Sequence, residues 1–322
     1  QRRLLARLRY VVGGRRAGVC EHPPAQAARR GRRLKRVVFP MHVHRDEDGI
    51  GSDGLPAAWR HVVVGQSLLM GTAFEAFGVK DGVDASTVEG AADTHYNLAN
   101  LHVSVHHPKV NVPVLWWRSV GHTHTAFVME TLIDELAMRA RMDPIAYRRK
   151  LLKPEAKKLL RPLELLDTAT AGWRNRLPKG QAVGVSCHES FGTGVACAVD
   201  VSIENKRPRI HRATIAVDCG LAVNPLTVES QFQAGVGFGL TQLMAKGALT
   251  LKNGIVEQRN FDGFVPPYIV DTPIAVDVHI VPSTEAPTGC GEPPVPVISP
   301  AVVNALARLT GKRYRTLPLV GV

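Results

Sequence analysis

Cysteine is scarce in this sequence: five occur in 322 residues, and none forms a CxxC pair. Cys20, Cys187, Cys197, Cys219 and Cys290 are odd in number and far apart, which argues against a zinc ribbon, a thioredoxin-type site and a disulfide framework. The same spacing offers no four clustered thiols for an iron–sulfur cluster. The cysteines therefore read as buried thiols. Long apolar runs are also missing. Stretches such as 126–129 and 301–303 fall far short of the roughly twenty residues that a membrane-crossing helix needs. Acidic residues are nearly absent from the start of the chain, where residues 1–45 hold thirteen of the 40 bases and one of the 28 acids, Glu21. That leaves 27 bases and 27 acids in residues 46–322. The net charge of +12 is thus confined to the first segment, and the body has no electrostatic reason to seek nucleic acid.

What is present is the composition of a globular chain, 45% hydrophobic and 21% charged. Residues 1–45 show no sustained helical or strand period and are expected to be disordered or non-native, since the sequence opens at Gln1 with an Arg-rich prefix. Arg2-Arg3 is like a twin-arginine pair, but no apolar run or small-residue cleavage site follows, which leaves bacterial cytoplasm and periplasm both open. Strand-like runs begin at Trp59–Val64 and Leu101–Val105. A helix follows, with Thr123 or Thr125 as its cap and Val128, Leu132 and Leu136 on its inner stripe. Glu130, Asp134, Glu135 and Arg139 take its expected wet side. Asp143-Pro144 starts another helix as N-cap and first-turn proline. Further strands are expected at Val195–Ile203, Arg209–Val217 and Ile274–Val281, with a Gly-spaced helical stretch over Thr227–Met244 between the last two.

The last helix is expected to start at Ser299-Pro300 and end at Gly311. Mixed strands and helices without regular βαβ alternation give an α+β class: mixed-sheet lobes with packed helices. The expected division is a basic segment 1–45, a first α/β lobe 46–155, a proline-broken connector 156–182 and a C-terminal lobe 183–322. The pairs His42/His44, His106/His107 and His122/His124 lack any zinc-site spacing and read as ordinary surface or core histidines.

One loop carries a positioned acid: Ala286-Pro287-Thr288-Gly289-Cys290-Gly291-Glu292-Pro293-Pro294. Its glycines allow close approach to a ligand, and its prolines stiffen the backbone around one carboxylate. Read from composition alone, Glu292 is a surface acid in a turn. The loop and the Ala-rich helix after it resemble the segment that holds the general-base glutamate in xanthine dehydrogenases and aldehyde oxidases. Thr310–Pro318 is similar to the C-terminal ending of that family. Trp117-Arg118-Ser119-Val120-Gly121 is similar to the family's Arg-containing loop beside the pterin. Asp218-Cys219-Gly220 through Asn224-Pro225 and Gln231 to Gly239 resembles its DxG…NP…Q…GG…G stretch, with Gln233-Ala234-Gly235 where relatives usually show Glu-Gly-Gly.

The resemblance identifies the chain as similar to the C-terminal half of an isoquinoline 1-oxidoreductase-like molybdenum-pterin (beta) subunit. It implies Glu292 as the catalytic base and Val120 in the substrate pocket. Arg118, Ser119, Gln231, Gly289 and Gly291 are implied at the cofactor. It further implies a molybdenum-pterin cofactor in its molybdopterin cytosine dinucleotide form, and [2Fe-2S] clusters on a separate small iron–sulfur subunit. The pterin-gripping Gly-Gln-Gly loop of the N-terminal half is absent, so that half is an expected partner. The implied activity is that of a molybdenum hydroxylase, an oxidoreductase that hydroxylates an N-heterocycle or oxidises an aldehyde with water as oxygen source. The competing expectations are a catalytically inactive fragment and a basic-armed binding module.

Overall fold

A computed structural model describes the backbone at residues 33–39, 42–109, 112–244, 249–253, 255–319 and 321–322, with side chains from residue 50 onward. The first 32 residues of the basic segment, and the side chains of His42 and His44, lie outside the described residues. The end of that segment is strand rather than irregular chain. β1 (Arg33–Phe39) pairs antiparallel with β2 (His42–Ile50), and β2 pairs with β3 (Pro56–Gly65). β4 (Leu101–His106) runs parallel to β3 and completes a four-stranded sheet in the order β1-β2-β3-β4.

A second sheet holds β5 (Gln181–Ser190), β6 (Thr193–Glu204), β7 (Arg207–Asp218) and β8 (Ala275–Ile280) in the order β8-β7-β6-β5. Its three hairpin-linked strands are antiparallel, and β8 adds in parallel to β7. β5 and β6 are buried along most of their length, which is the pattern of a sheet covered on both faces. The covers are two helices. A Cβ added at Gly184 would lie 1.8 Å from the Ala301 carbonyl of the last helix, and one at Gly194 would lie 1.6 Å from the Lys158 carbonyl. Gly194 sits opposite Glu189. Strand alternation therefore puts Gly184 and Gly194 on opposite faces. The mixed sheets and packed helices make the fold α+β.

α1 (His122–Arg139) is buried almost all round, and its acids do not take a wet side. Glu130 is 1% exposed and Asp134 is fully buried, because each is neutralised by arginines from later elements. Glu130 Oε2 accepts Arg148 Nε at 2.7 Å and the Cys187 N–H at 2.8 Å, and Oε1 accepts the Tyr96 hydroxyl. Asp134 receives both Nη atoms of Arg308, at 2.9 and 2.8 Å, and Arg313 Nη1 at 3.3 Å. Glu135 pairs with Arg139 and Arg315. Buried charges persist only when paired and hydrogen-bonded in this way.

α2 (Pro144–Leu151) starts as its sequence implies, with the Asp143 carboxylate accepting the Ile145 and Ala146 amides at 2.9 and 3.0 Å. The stretch expected as a broken connector contains one continuous helix, α3 (Lys157–Thr170), with Pro162 inside it and the sheet beneath it. Proline has no amide to bond the carbonyl four residues back, and here that carbonyl is Lys158, the group that lies against Gly194. α4 (Pro225–Gly239) is capped by Asn224 Oδ1, which accepts the Thr227 amide at 3.2 Å.

α5 (Pro294–Thr310) begins six residues earlier than its Ser299-Pro300 signal suggests. Ser299 is not its cap: the hydroxyl donates to the Gly239 carbonyl at 2.8 Å and accepts Gln242 Nε2 at 2.6 Å. Pro293 and Pro294 supply the fixed φ that starts the helix directly after Glu292. Gly311, at φ 69°, ends it. Trp59, α1, α3, the second sheet and α5 share one apolar core, and a smaller cluster gathers Val63, Val83, Val88, Val103 and Val105. Among the described residues, no helix is long and apolar enough to cross a membrane.

Candidate active site

Three segments far apart in sequence meet at the start of α5. Arg118 donates through Nε to the Gly291 carbonyl at 2.6 Å, and its Nη2 reaches the same oxygen. That Nη2 also reaches Gln231 Oε1 at 3.3 Å. Ser119 is fully buried. Its amide donates to Glu292 Oε2 at 2.7 Å, and its hydroxyl donates to the Glu292 carbonyl at 2.9 Å. One turn of chain thus holds both the carboxylate and the backbone of Glu292.

That turn is strained in a way that fixes the amide's direction. Ser119 (φ 78°) and Val120 (φ 47°) are both left-handed without being glycine, each at a cost of about 1–3 kcal/mol, and such strain concentrates at functional sites. Val120 N–H closes the turn onto the Trp117 carbonyl at 2.8 Å. The Thr123 hydroxyl secures it from below by donating to the Arg118 carbonyl at 2.8 Å. Neither Thr123 nor Thr125 caps α1. Its N-cap is Gly121, which bears no side chain.

Gln231 is brought to the same place by helix packing. Gln231, Gly235 and Gly239 follow one another at four-residue spacing on α4, along one face. A Cβ at Gly235 would lie 2.3 Å from Pro294 Cγ, and one at Gly239 would lie 2.5 Å from Ile298 Cγ2 and 2.8 Å from the Val295 carbonyl. These two glycines seat α4 on the first turns of α5 and so place Gln231 beside Gly291. Gly289 stands slightly apart, its amide donating to the Phe191 carbonyl at 3.3 Å. Cys290, half-buried, has its thiol pushed up to about 12 by burial, and it stays protonated.

Val120 lines a different part of the same region, a cavity of about 560 Å³ with Trp117, Leu68, Val114, Leu249 and Phe264 among its walls. Arg118, Gln231 and Glu292 are not among the residues lining it. Trp117 bridges the two: its ring lies 4.9 Å from that of Phe238, over which the Arg118 guanidinium sits at 5.6 Å. The cavity's size is within the usual range for small-molecule sites, and its walls are mainly apolar, as such sites require.

Beneath the turn lies a polar cluster with no counterpart in the sequence reading. Glu89 Oε1 accepts the Gly121 amide at 2.7 Å, and Oε2 is 3.7 Å from His122 Nε2. His122 Nδ1 is 2.8 Å from His188 Nε2, so His122 pairs with His188 and not with His124. Burial pushes the Glu89 carboxyl up to about 7 and His122 down to about 4, and it holds His188 well below the usual imidazole range. Both rings are therefore neutral at pH 7. His107 Nδ1 lies 3.0 Å from the Gly65 carbonyl. Among the described residues, no group of three or more His, Cys, Asp and Glu could hold a metal ion.

Comparison with known proteins places the chain in a family. Two models, each described as a molybdopterin cofactor-binding domain, match residues 76–152 and 135–273, and together they span more than half of the chain. The chain belongs to the molybdopterin-binding subunits of the xanthine dehydrogenase and aldehyde oxidase family. It is 26% identical over 270 residues to the isoquinoline 1-oxidoreductase subunit beta of Brevundimonas diminuta, covering 81% of this chain and 34% of that protein. It is 29% identical over 224 residues to a membrane-bound aldehyde dehydrogenase [pyrroloquinoline-quinone] of Gluconacetobacter polyoxogenes, covering 63% of this chain and 29% of that one.

Among solved structures, quinoline 2-oxidoreductase from Pseudomonas putida 86 matches with a TM-score of 0.67 at 13% identity, over 85% of this chain and 60% of that one. The aldehyde oxidoreductase from Desulfovibrio gigas matches with a TM-score of 0.64 at 14% identity, over 86% and 48%. Those two likenesses concern the fold. The chain spans about a third of the length of the first two curated relatives.

Proposed function

We propose that this chain forms one wall of the site of a molybdenum hydroxylase, with Glu292 as its general base. The observation that carries the reading is the Ser119 amide donating to the Glu292 carboxylate, while Arg118 ties Gln231 to the same loop. A purely structural turn gives no reason for an acid, a guanidinium and an amide from three distant segments to converge.

The donor set fits a molybdenum-pterin group. Gln231 is exposed and engages Arg118 through Oε1, which leaves its Nε2 amide to donate to an oxygen of the group. A Cβ at Gly291 would meet nothing nearer than Gln231 Oε1 at 3.9 Å, so the backbone there is open to close approach. Arg118, Ser119, Gln231, Gly289 and Gly291 are the residues proposed to hold the group. When bound, it would supply two-electron oxidation with water as the oxygen source. Glu292 would take up the proton released as that oxygen passes to the substrate carbon, work that needs a carboxylate within hydrogen-bond reach. The Ser119 amide keeps one carboxylate oxygen occupied and leaves the other for the proton. The apolar cavity beside Val120 suits a flat N-heterocycle, with an aldehyde as the other substrate class.

The cytosine dinucleotide form of the pterin, a separate small subunit carrying [2Fe-2S] clusters and an N-terminal half completing the pterin site all belong to this proposal. The exposed Leu115, Trp116 and Phe74 near the cavity offer that half an apolar seat. A chain spanning a third of its relatives is expected to be inactive until the remainder is supplied. The test is metal and pterin analysis of the complete subunit purified from a host that makes the cofactor. Stoichiometric molybdenum that falls in Arg118→Ala and Gln231→Ala supports the reading, and full loading of both variants overturns it.

A further inference from the structure

Glu89 lies in the turn after Asp84, within no motif that the resemblance covers, yet it holds the same loop as Glu292 from the other side. Its Oε1 accepts the Gly121 amide at 2.7 Å, and its backbone carbonyl accepts the Thr125 hydroxyl at 2.7 Å. The His122 amide also bonds its carboxylate. Gly121 is the N-cap and His122 the first residue of the 18-residue helix α1, which has no side-chain cap of its own. Glu89 supplies that cap from a distance, with its carboxylate at the positive end of the helix.

The fit around Gly121 is close. A Cβ there would lie 1.8 Å from the Ser86 carbonyl and 3.0 Å from Glu89 Cγ. Gly121 is therefore clamped between residues 86 and 89. Two residues upstream, the left-handed Ser119 directs its amide to Glu292 Oε2 at 2.7 Å. The left-handed pair Ser119-Val120 is fixed at one end by Glu292 and at the other by Glu89. A backbone of this kind persists only where its surroundings over-determine it.

We infer that Glu89 is a positioning residue: by holding the Gly121 amide it fixes the Ser119-Val120 turn, and through the Ser119 amide it fixes the Glu292 carboxylate. The inference rests on the reading of Glu292 as the base for its consequence, though not for the anchor itself. Other charged or titratable groups close to the carboxylate are Asp84 and Asp93 of its own turn and His122 of α1, with His188 of β5 behind His122. Two carboxylates nearby and no cation among these groups make this a poor place for an acid kept only for stability. Burial above all, with those two carboxylates adding to it, pushes the carboxyl up to about 7.

Hydrogen–deuterium exchange on the 322-residue chain tests the anchor, with wild type, Glu89→Ala and Glu89→Gln compared. In Glu89→Ala, peptides covering 117–123 and 288–293 should exchange about tenfold faster, while the sheet β5–β7 keeps its protection. Glu89→Gln keeps an oxygen that can accept the Gly121 amide, and it should behave as wild type. Should the alanine variant fail to fold, Glu89→Asp, one methylene shorter, should show the same loss in both peptides. In the complete enzyme, Glu89→Ala should lower kcat by up to about a hundredfold at constant KM, with recovery in Glu89→Gln, because small misplacements of a reacting group carry that cost. Unchanged exchange at 288–293, or a glutamine variant as loose as the alanine variant, overturns the inference. If Glu292→Gln retains turnover, the reading of the base fails separately, and the exchange data still decide the anchor.

Discussion

Replacing Glu89 by glutamine should stabilise the folded chain at alkaline pH and leave it unchanged in acid. Burial raises the Glu89 carboxyl from its ordinary 4.5 to about 7 despite the amides it accepts. Between those two values the unfolded chain is ionised at this position and the folded chain is not. Folding is therefore favoured less and less as pH rises from 4.5 to about 7, and the full cost is present above that. At about 1.4 kcal/mol per pKa unit, the cost comes to roughly 3 kcal/mol. The side chain is 25% exposed, and solvent screening reduces the figure to about 2 kcal/mol. Glutamine carries no charge and avoids the cost while keeping an acceptor for the Gly121 amide. Urea unfolding of both proteins at half-unit steps from pH 4.5 to 8.5 should show the variant gaining stability through pH 5–7 and then running parallel to wild type. A constant difference across the range, or a glutamine variant less stable at pH 8, would refute the reasoning.

Arg148→Met should lower stability by about 3–5 kcal/mol, because it leaves the buried Glu130 carboxylate without its cation; chemical denaturation at pH 7 measures this, and a loss under 1 kcal/mol would contradict the role assigned to the pair. Gly184→Ala puts a methyl group 1.8 Å from the Ala301 carbonyl, and separating β5 from α5 should cost about 1–3 kcal/mol, again read from denaturation. Gly121→Ala meets the Ser86 carbonyl at the same distance; it should loosen peptides 117–123 and 288–293 in exchange and leave β5–β7 protected.

Much of the fold is visible in local pattern. Asp143-Pro144 marks a helix start and becomes one, and the strand-like runs at residues 195–203 and 209–217 become the hairpin β6–β7. The misreadings share a cause, which is dependence on partners distant in sequence. Glu130, Asp134 and Glu135 have the spacing of a solvated face, and only the arrival of arginines 148, 308, 313 and 315 makes their burial tolerable. Ser299-Pro300 carries a local start signal, yet its hydroxyl is used to join α5 to the end of α4. The convergence of Arg118, Gln231 and Glu292 is foreshadowed by motif order and not by any property of the residues themselves. Glu89 offers no signal at all. It lies 32 residues before Gly121 in a turn without periodicity, and its importance comes from the fold that closes over it.

Glu292 is proposed to remove a proton in a reaction run by a molybdenum-pterin group held partly by this chain. The most direct test is the turnover of Glu292→Gln in the complete, cofactor-loaded enzyme, measured beside its molybdenum and pterin content. Glutamine preserves the acceptor for the Ser119 amide and removes only the basicity. A general base at Glu292 gives wild-type cofactor content with turnover lowered by about two orders of magnitude or more, the usual worth of a positioned general base. Wild-type turnover in a fully loaded Glu292→Gln enzyme would contradict it.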